Sequence, residues 1–343
     1  MGLKIASIVR INISDLVSAG TLLAVRALHV RMNRMQVSVI IPTYSRPEIL
    51  RLVLEGLCRQ TEPESLAEVL VVCDGFDEKT KSVAQGFAGE LPLRYLEQPK
   101  RGVSFARNLG IFSATAPIVL LLDDDVIPGP ELIAEHARFH REMEAENAVL
   151  LGYVTWHPDL PCGPFMRWYG EYGALFGYGL LRDDAQADAR FFYSCNVSLK
   201  RNFLMTHGAF NESLIVLEDN ELGFRLGQEG MQLFHRKAAV GFHYQTFTFE
   251  QSCRRLESYS SGLNAFLQTD AGRVLAHKRN SPLFRFAEVM VRMTAPLLSP
   301  LLPVVDSKTP LPRPIYRFLY WYYGAYRSFW SRADKHLLAR KIN

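Results

Sequence analysis

Three adjacent carboxylates, Asp123, Asp124 and Asp125, close the apolar run APIVLLL. Like charges side by side repel, and a low-dielectric neighbourhood strengthens the repulsion. Three arrangements would tolerate them. One is a solvated turn whose acids cap a helix starting near Pro130. A second is a phosphoacceptor pocket of the receiver-domain type, which needs a domain less than half the length of this chain. The third is a divalent-cation site serving a phosphate-bearing substrate. Mg²⁺ and Mn²⁺ prefer oxygen ligands, commonly one or two carboxylates, with phosphate and water supplying the rest. In an extended segment Asp123 and Asp125 point the same way, so one can meet a metal while the other reaches a sugar. A second acidic pair, Glu218-Asp219, opens the helical pattern LEDNELGFRLGQEG. Acids there either complement the helix dipole or supply a general base, worth ~10²–10⁴-fold to a hydroxyl nucleophile. Farther on, FEQSCRRLESYSSG sets Gln251, Arg254 and Arg255 at helical spacing. They form either a diphosphate clamp or a solvated basic face. Trp156, Trp168, Tyr169, Tyr172 and Tyr178 are rings that stack on sugars or pack.

Such groups act together only if secondary structure brings them to one rim. VSVIIPTY is a near-continuous apolar run, the signature of a buried parallel strand. In SRPEILRLVLEGLCRQ, Ser45 is placed to cap a helix and Pro47 to sit in its first turn. Ile49, Leu50, Val53, Leu54 and Leu57 then recur at helical spacing. AEVLVVCDG, LRYLEQP and APIVLLLDDD are further strands, and GVSFARNLGIFSA is a helix. This pattern predicts an α/β fold with a mixed, mainly parallel sheet flanked by helices. Ligands of such sheets lie beyond the carboxyl ends of the strands, where Tyr44, Asp74 and Asp123–Asp125 fall. The second half predicts a helix in GPELIAEHARFHREME and a strand in AVLLGYVTW. The Gly- and aromatic-rich PFMRWYGEYGALFGYGLL reads as a mobile loop or acceptor wall. A strand and helix follow in RFFYSCNVSLKRNFLMTHGAF, then an extended segment or strand pair in QLFHRKAAVGFHYQ. From Thr248 onward the pattern is helical.

With 343 residues, 48% of them apolar, the chain can bury a large core. Its net charge of +4 argues against a dedicated nucleic-acid binder. The charge is unevenly spread. From Ala271 onward thirteen Lys and Arg face three Asp and Glu, a balance of +10, so the preceding part carries −6. Five dispersed cysteines without a C-x-x-C pair suggest reduced thiols rather than a disulfide frame or a zinc site. There is no G-x-x-x-x-G-K-[ST] and no G-x-G-x-x-G after a strand.

VSVIIPTYSRP, VLVVCDG, GVSFARNLGI, LLDDDV and LEDNELGFRL occur in that order. Together they resemble the GT-A fold glycosyltransferases of family 2, inverting and nucleotide-sugar dependent. The resemblance implies a nucleotide diphosphate sugar donor, typically a UDP-sugar, with Mn²⁺ or Mg²⁺ as cofactor. It implies donor contacts from Pro42, Thr43, Tyr44, Asp74, Arg107, Asn108, Asp123 and Asp124. Where the family usually has DDGS, this chain has Cys73-Asp74-Gly75-Phe76, which weakens the implied base preference. Asp125 is the implied metal ligand, with His243 completing the metal shell, and Asp219 is the implied general base. Glu218 and Asn196 would lie on the acceptor side. Arg254 matches the Arg of the Q-x-x-R-W of processive synthases, but Arg255 stands where Trp would be, which favours single addition. One base and one metal, without a nucleophilic carboxylate, imply inversion at the anomeric carbon. Two other functions stay open: a non-catalytic sugar-nucleotide-binding subunit and a nucleotidyltransferase.

The expected organisation is an N-terminal amphipathic extension over 1–35 and a glycosyltransferase domain over 36–250. Its nucleotide-sugar half would cover about 36–125 and its acceptor half about 126–250. A helical, basic and aromatic extension covers 251–343. The extension suits either the anionic inner face of a cell membrane, with a glycan or glycolipid acceptor, or packing on the core and a homodimer contact. The expected location is cytoplasmic, at the membrane's inner face.

Overall fold

The computed structural model describes residues 35–173, 175–279, 289–291, 293–294, 305–306 and 308–340. Residues 1–34 of the expected amphipathic extension lie outside them. Strand β1 (Val37–Thr43) is buried along its whole length, since it has a parallel neighbour on each side and helices on both faces. β2 (Leu66–Asp74) runs beside it, with Val39 opposite Val69, and β3 (Leu93–Gln98) follows at the edge. On the other side β4 (Ile118–Leu122) pairs parallel to β1, with Val39 opposite Leu120. Helices α1 (Pro47–Cys58), α2 (Glu78–Gly86) and α3 (Val103–Ser113) make the crossovers. α1 buries Leu50, Val53, Leu54 and Leu57 at helical spacing. Ser45 does not cap this helix as expected. Because Pro47 is the first helical residue, Arg46 stands at the cap, and Ser45 turns through a φ of 52°.

The sheet then changes character. β8 (Asn196–Lys200) pairs antiparallel to β4, and β6 (Ala148–Trp156) pairs antiparallel to β8. Of the two readings of QLFHRKAAVGFHYQ, the single extended segment holds: β9 (Gln232–His243) is one long strand, parallel to β6 with a bulge after Gly152. The short strands β5 (Val126–Pro128) and β7 (Ala185–Ala187) pair antiparallel to β9. The fold is therefore the mixed, mainly parallel α/β sheet that the pattern predicts. Helices α4 (Leu132–Glu142), α6 (Arg201–His207) and α7 (Glu218–Gln228) cover its second half.

PFMRWYGEYGALFGYGLL is not simply a loop. Pro164 opens helix α5 (Pro164–Glu171), and Phe165, Trp168 and Tyr169 form its buried stripe. That stripe packs on α8 (Phe249–Leu267) and α10 (Arg313–Arg340) through Phe249, Tyr316, Tyr320 and Tyr323. α9 (Asp270–Arg279) follows α8. Trp168, Tyr169 and Tyr178 are thus packing residues rather than open sugar platforms. All five cysteines are free thiols. Among the described residues no helix is long and apolar enough to cross a membrane.

Two buried polar networks brace the sheet. At the start of β2, Glu68 accepts hydrogen bonds from Ser38, Thr115 and Arg94. Burial pushes its carboxyl up, but those bonds prevail and hold it at about 2. Between α4 and β8, His136 bonds Ser198 at 2.7 Å and Asn196 at 2.9 Å, and His140 bonds Ser198 at 2.9 Å. Burial pushes His136 down to about 4 and His140 to about 3, against 6.5 for an open imidazole. The folded protein therefore binds fewer protons here than the unfolded chain. The stabilisation is complete above pH 6.5 and is lost as pH falls from there through 4 and 3. Scanning calorimetry should show Tm falling over that window, and His140→Gln should flatten the fall; an unchanged slope would count against neutral burial.

Candidate active site

Parallel pairing places the C-terminal ends of β1, β2 and β4 side by side, so Thr43, Asp74 and the Asp123–Asp125 turn share one rim. Two further chain segments are drawn in from the antiparallel half. Leu122 opposes Asn196, and the Asp123 amide donates to the Cys195 carbonyl, which brings Ser194 to the rim. Val126 opposes His243, and the Tyr244 amide donates to the Asp125 carbonyl, which sets His243 beside Asp125. Leu217, at a φ of 60°, then turns the chain so that Glu218 and Asp219 open α7 toward the same place. A left-handed conformation at a leucine costs energy, and such strain concentrates at functional sites.

Arg107, on α3, is the hub. Its guanidinium is buried and lies 3.0 Å from Asp123, 2.9 Å from Glu218 and 3.6 Å from Asp219. Burial would lower its pKa, yet Asp123, Asp219 and Glu218 outweigh that and raise it. Asp219 also accepts from the Ser194 amide at 3.1 Å. Its carboxyl is pushed up to about 6, first by burial and next against the pull of Arg107, with Glu218 adding to the rise.

The other two acids of the triplet are held by Arg46. Its two terminal nitrogens lie 2.6 Å from Asp124 and 2.8 Å from Asp125, and Thr43 donates to Asp124 at 2.7 Å. Burial pushes Asp124 up to about 7, with Arg46 pulling it back. Nε2 of His243 lies 3.7 Å from the remaining Asp125 oxygen, and burial lowers the imidazole pKa, which keeps it neutral. Five carboxylates face Arg46 and Arg107, with Arg255 farther off, so even with Asp124 protonated the cluster keeps an excess of negative charge. Nine buried side-chain polar atoms among the described residues lack an aligned hydrogen bond. Five of them are here: Arg107 Nε, Ser194 Oγ and His243 Nδ1, together with Asp124 Oδ1 and Asp219 Oδ1, which face guanidinium nitrogens at 2.6 and 3.6 Å. Buried polar groups are normally satisfied, so their concentration marks a place built for something else.

Among the described residues no three His, Cys, Asp or Glu side chains form a ready cage for an ion. Asp125 and His243 nonetheless fit two of the ligands of a Mn²⁺ or Mg²⁺ ion. One offers an oxygen and the other a neutral nitrogen, and the cluster lacks positive charge.

The remaining expected site residues divide. Asp74 faces the rim, but its carboxylate is largely engaged, accepting from Gln98, the Arg101 amide and the Gly102 amide at 2.8, 2.8 and 2.9 Å. Gly102 adopts a φ of 112° to aim its N–H there, which only glycine does freely. Pro42 is buried within β1, while Tyr44 is half-exposed with the Lys100 ammonium 3.8 Å above its ring. Asn108 does not face a ligand. Its amide spans Phe210 and Glu212 and ties α3 to the 208–217 loop. Asn196 lies inside the sheet. It is fully buried, donates to Tyr153 and Ala239 carbonyls, and accepts from or pairs with His136. Gly152 leaves the space for it, because a Cβ there would lie 2.3 Å from the Asn196 amide nitrogen. Arg254 points to solvent and pairs with Glu250, and Gln251 closes the capping box of α8 with Thr248. Its neighbour Arg255 is the one whose charge reaches Asp125 and His243. Arg46 was not among the expected residues, although an arginine between a strand end and a Pro-initiated helix was visible in YSRP.

The glycosyl transferase family 2 model matches residues 38–204, the segment from β1 into α6. The chain carries a family 2 glycosyltransferase domain. Glycosyltransferase YfnE of Bacillus subtilis is 26% identical over 62% of this chain and 65% of its own length. Validoxylamine A glucosyltransferase of Streptomyces hygroscopicus subsp. limoneus is 30% identical over 57% of this chain and 49% of its own. The chain thus spans about half to two thirds of the length of these relatives. The mannosyltransferase PcManGT of Pyrobaculum calidifontis, solved with GDP-Man and Mn²⁺, superposes with a TM-score of 0.61 at 18% identity. The match covers 90% of this chain and 94% of that one. The fold around the family 2 domain is accordingly GT-A.

Replacing Arg107 with Met leaves Asp123, Glu218 and Asp219 without their shared countercharge. Removing one partner of a buried ion pair costs on the order of 3 kcal/mol. Urea unfolding should reveal that loss at pH 7, and it should shrink on acidification as the acids protonate.

Proposed function

We propose that this protein is an inverting glycosyltransferase that moves a sugar from a nucleoside diphosphate donor to an acceptor hydroxyl. The observation that carries this reading is the Arg107 bridge, which joins Asp123 of the triplet to Glu218 and Asp219 in one charge cluster. Asp219 is the general base. Its carboxyl, raised to about 6, is anionic at neutral pH yet more basic than an open aspartate, which suits it to take a proton from the acceptor. Arg107 and the Ser194 amide orient it. Asp125 and His243 would hold Mn²⁺ or Mg²⁺, which when bound stabilises charge on the leaving diphosphate. Asp123 faces the sugar or ribose. Tyr44, Asp74 and Lys100 border the nucleoside, uridine on the resemblance of Asp74 to the family's base-reading acid. Arg255, rather than Arg254, is the cation near the diphosphate.

The acceptor is a glycan or glycolipid at a membrane surface. α10 supports this: its inner face packs on α5, while Phe318 and Trp321 are exposed together with Arg317. Aromatic and basic side chains on one helix suit an anionic leaflet. The full chain should co-sediment with phosphatidylglycerol vesicles and not with phosphatidylcholine, and joint Phe318→Ala and Trp321→Ala changes should reduce binding several-fold. Equal partitioning into both lipids would remove the membrane from this scheme.

Asp219→Asn should lower transfer by ~10²–10⁴-fold while UDP-sugar binding by calorimetry stays close to wild type. In the wild type, transfer should fall as pH drops through about 6, where Asp219 takes up its proton. Full turnover by the Asn variant would reassign the base.

A further inference from the structure

We propose that Arg46 is an internal stand-in for the metal, holding Asp125 until a dication and a nucleoside diphosphate displace it together. The idea rests on the metal role assigned above to Asp125 and His243. Arg46 takes one Asp125 oxygen at 2.8 Å, while the other faces His243 at 3.7 Å. A guanidinium and a dication therefore compete for one carboxylate. The two acids it bridges are buried, but the Arg46 side chain is 44% exposed. It can swing out without disturbing the core, and they cannot. Its backbone stays anchored, because the Arg46 carbonyl accepts from the Leu50 amide. The preceding Ser45, at a φ of 52°, is one of three non-glycine residues with positive φ among the described residues. Another is Leu217, which sets Asp219. Strained turns thus set both the stand-in cation and the base.

The charges predict how the exchange runs. Replacing one positive charge on Asp125 by two suits a cluster with excess negative charge. It nevertheless strips Asp124 and Asp125 of a two-pronged partner, so a metal ion alone is opposed. A diphosphate reverses the balance: it ligates the ion and offers the released guanidinium a new anion. Metal and nucleotide should therefore bind cooperatively, and Arg46 should be the source of much of that coupling.

Mn²⁺ binding to the full chain, followed by the electron paramagnetic resonance of the free ion with and without UDP, tests this. Arg46→Gln should bind Mn²⁺ alone about tenfold more tightly than wild type, equivalent to about 1.4 kcal/mol. UDP should tighten Mn²⁺ less in the variant than in the wild type. Arg46→Lys keeps the charge but loses the fork. It should fall between the two, and it gives the answer if the Gln variant does not fold. Equal or weaker Mn²⁺ affinity in the variants overturns the role of Arg46 while leaving the metal site intact. If even the wild type binds no Mn²⁺ with UDP present, the metal assignment itself fails and takes this proposal with it.

Discussion

The buried charge of Arg107 is the constraint around which the rest is arranged. A guanidinium out of water is unstable unless several acceptors surround it. Here Asp123 comes from the end of β4, and Glu218 and Asp219 come from the first turn of α7. The strained turn at Leu217 and the antiparallel insertion of β8 deliver those acids to α3. The contrast with Glu68 is instructive. That carboxylate, at the opposite end of β2, is saturated by hydrogen bonds and serves stability. The rim cluster is less deeply buried, with Asp123, Glu218 and Asp219 31%, 15% and 25% exposed, and it leaves Arg107 Nε, Ser194 Oγ and His243 Nδ1 without partners.

Much of the fold was legible because buried parallel strands are unbroken apolar runs, as in VSVIIPT and IVLLL, and because α/β order fixes which ends share a rim. Long-range pairing was less so. β9 reads locally as either one segment or two, because the polar residues around its bulge interrupt the pattern. In the glycine-rich segment the i, i+3, i+4 stripe of Phe165, Trp168 and Tyr169 announces a helix, but composition masks it.

At the site, residue types alone could not separate ligand contact from internal wiring. Asp123, Asp125, Glu218, Asp219 and His243 are brought together. Asn108 and Asn196 occupy positions the family motifs suggest, yet their amides are engaged by carbonyls far away in sequence. Gln251 looked like part of a phosphate clamp and is a helix cap. Arg46 was overlooked for the opposite reason. Its partners, Asp124 and Asp125, lie nearly eighty residues downstream, so only the tertiary structure pairs them.

Arg107 lies on α3, in the parallel half of the fold, while two of its three acidic partners lie on α7, beyond β8. The halves are consequently not interchangeable modules. A graft that imports a foreign second half, however well its helices pack, inherits the duty of presenting two anions to this one arginine. Surfaces such as the outer faces of α5 and α10 can vary freely, because they do not touch that junction.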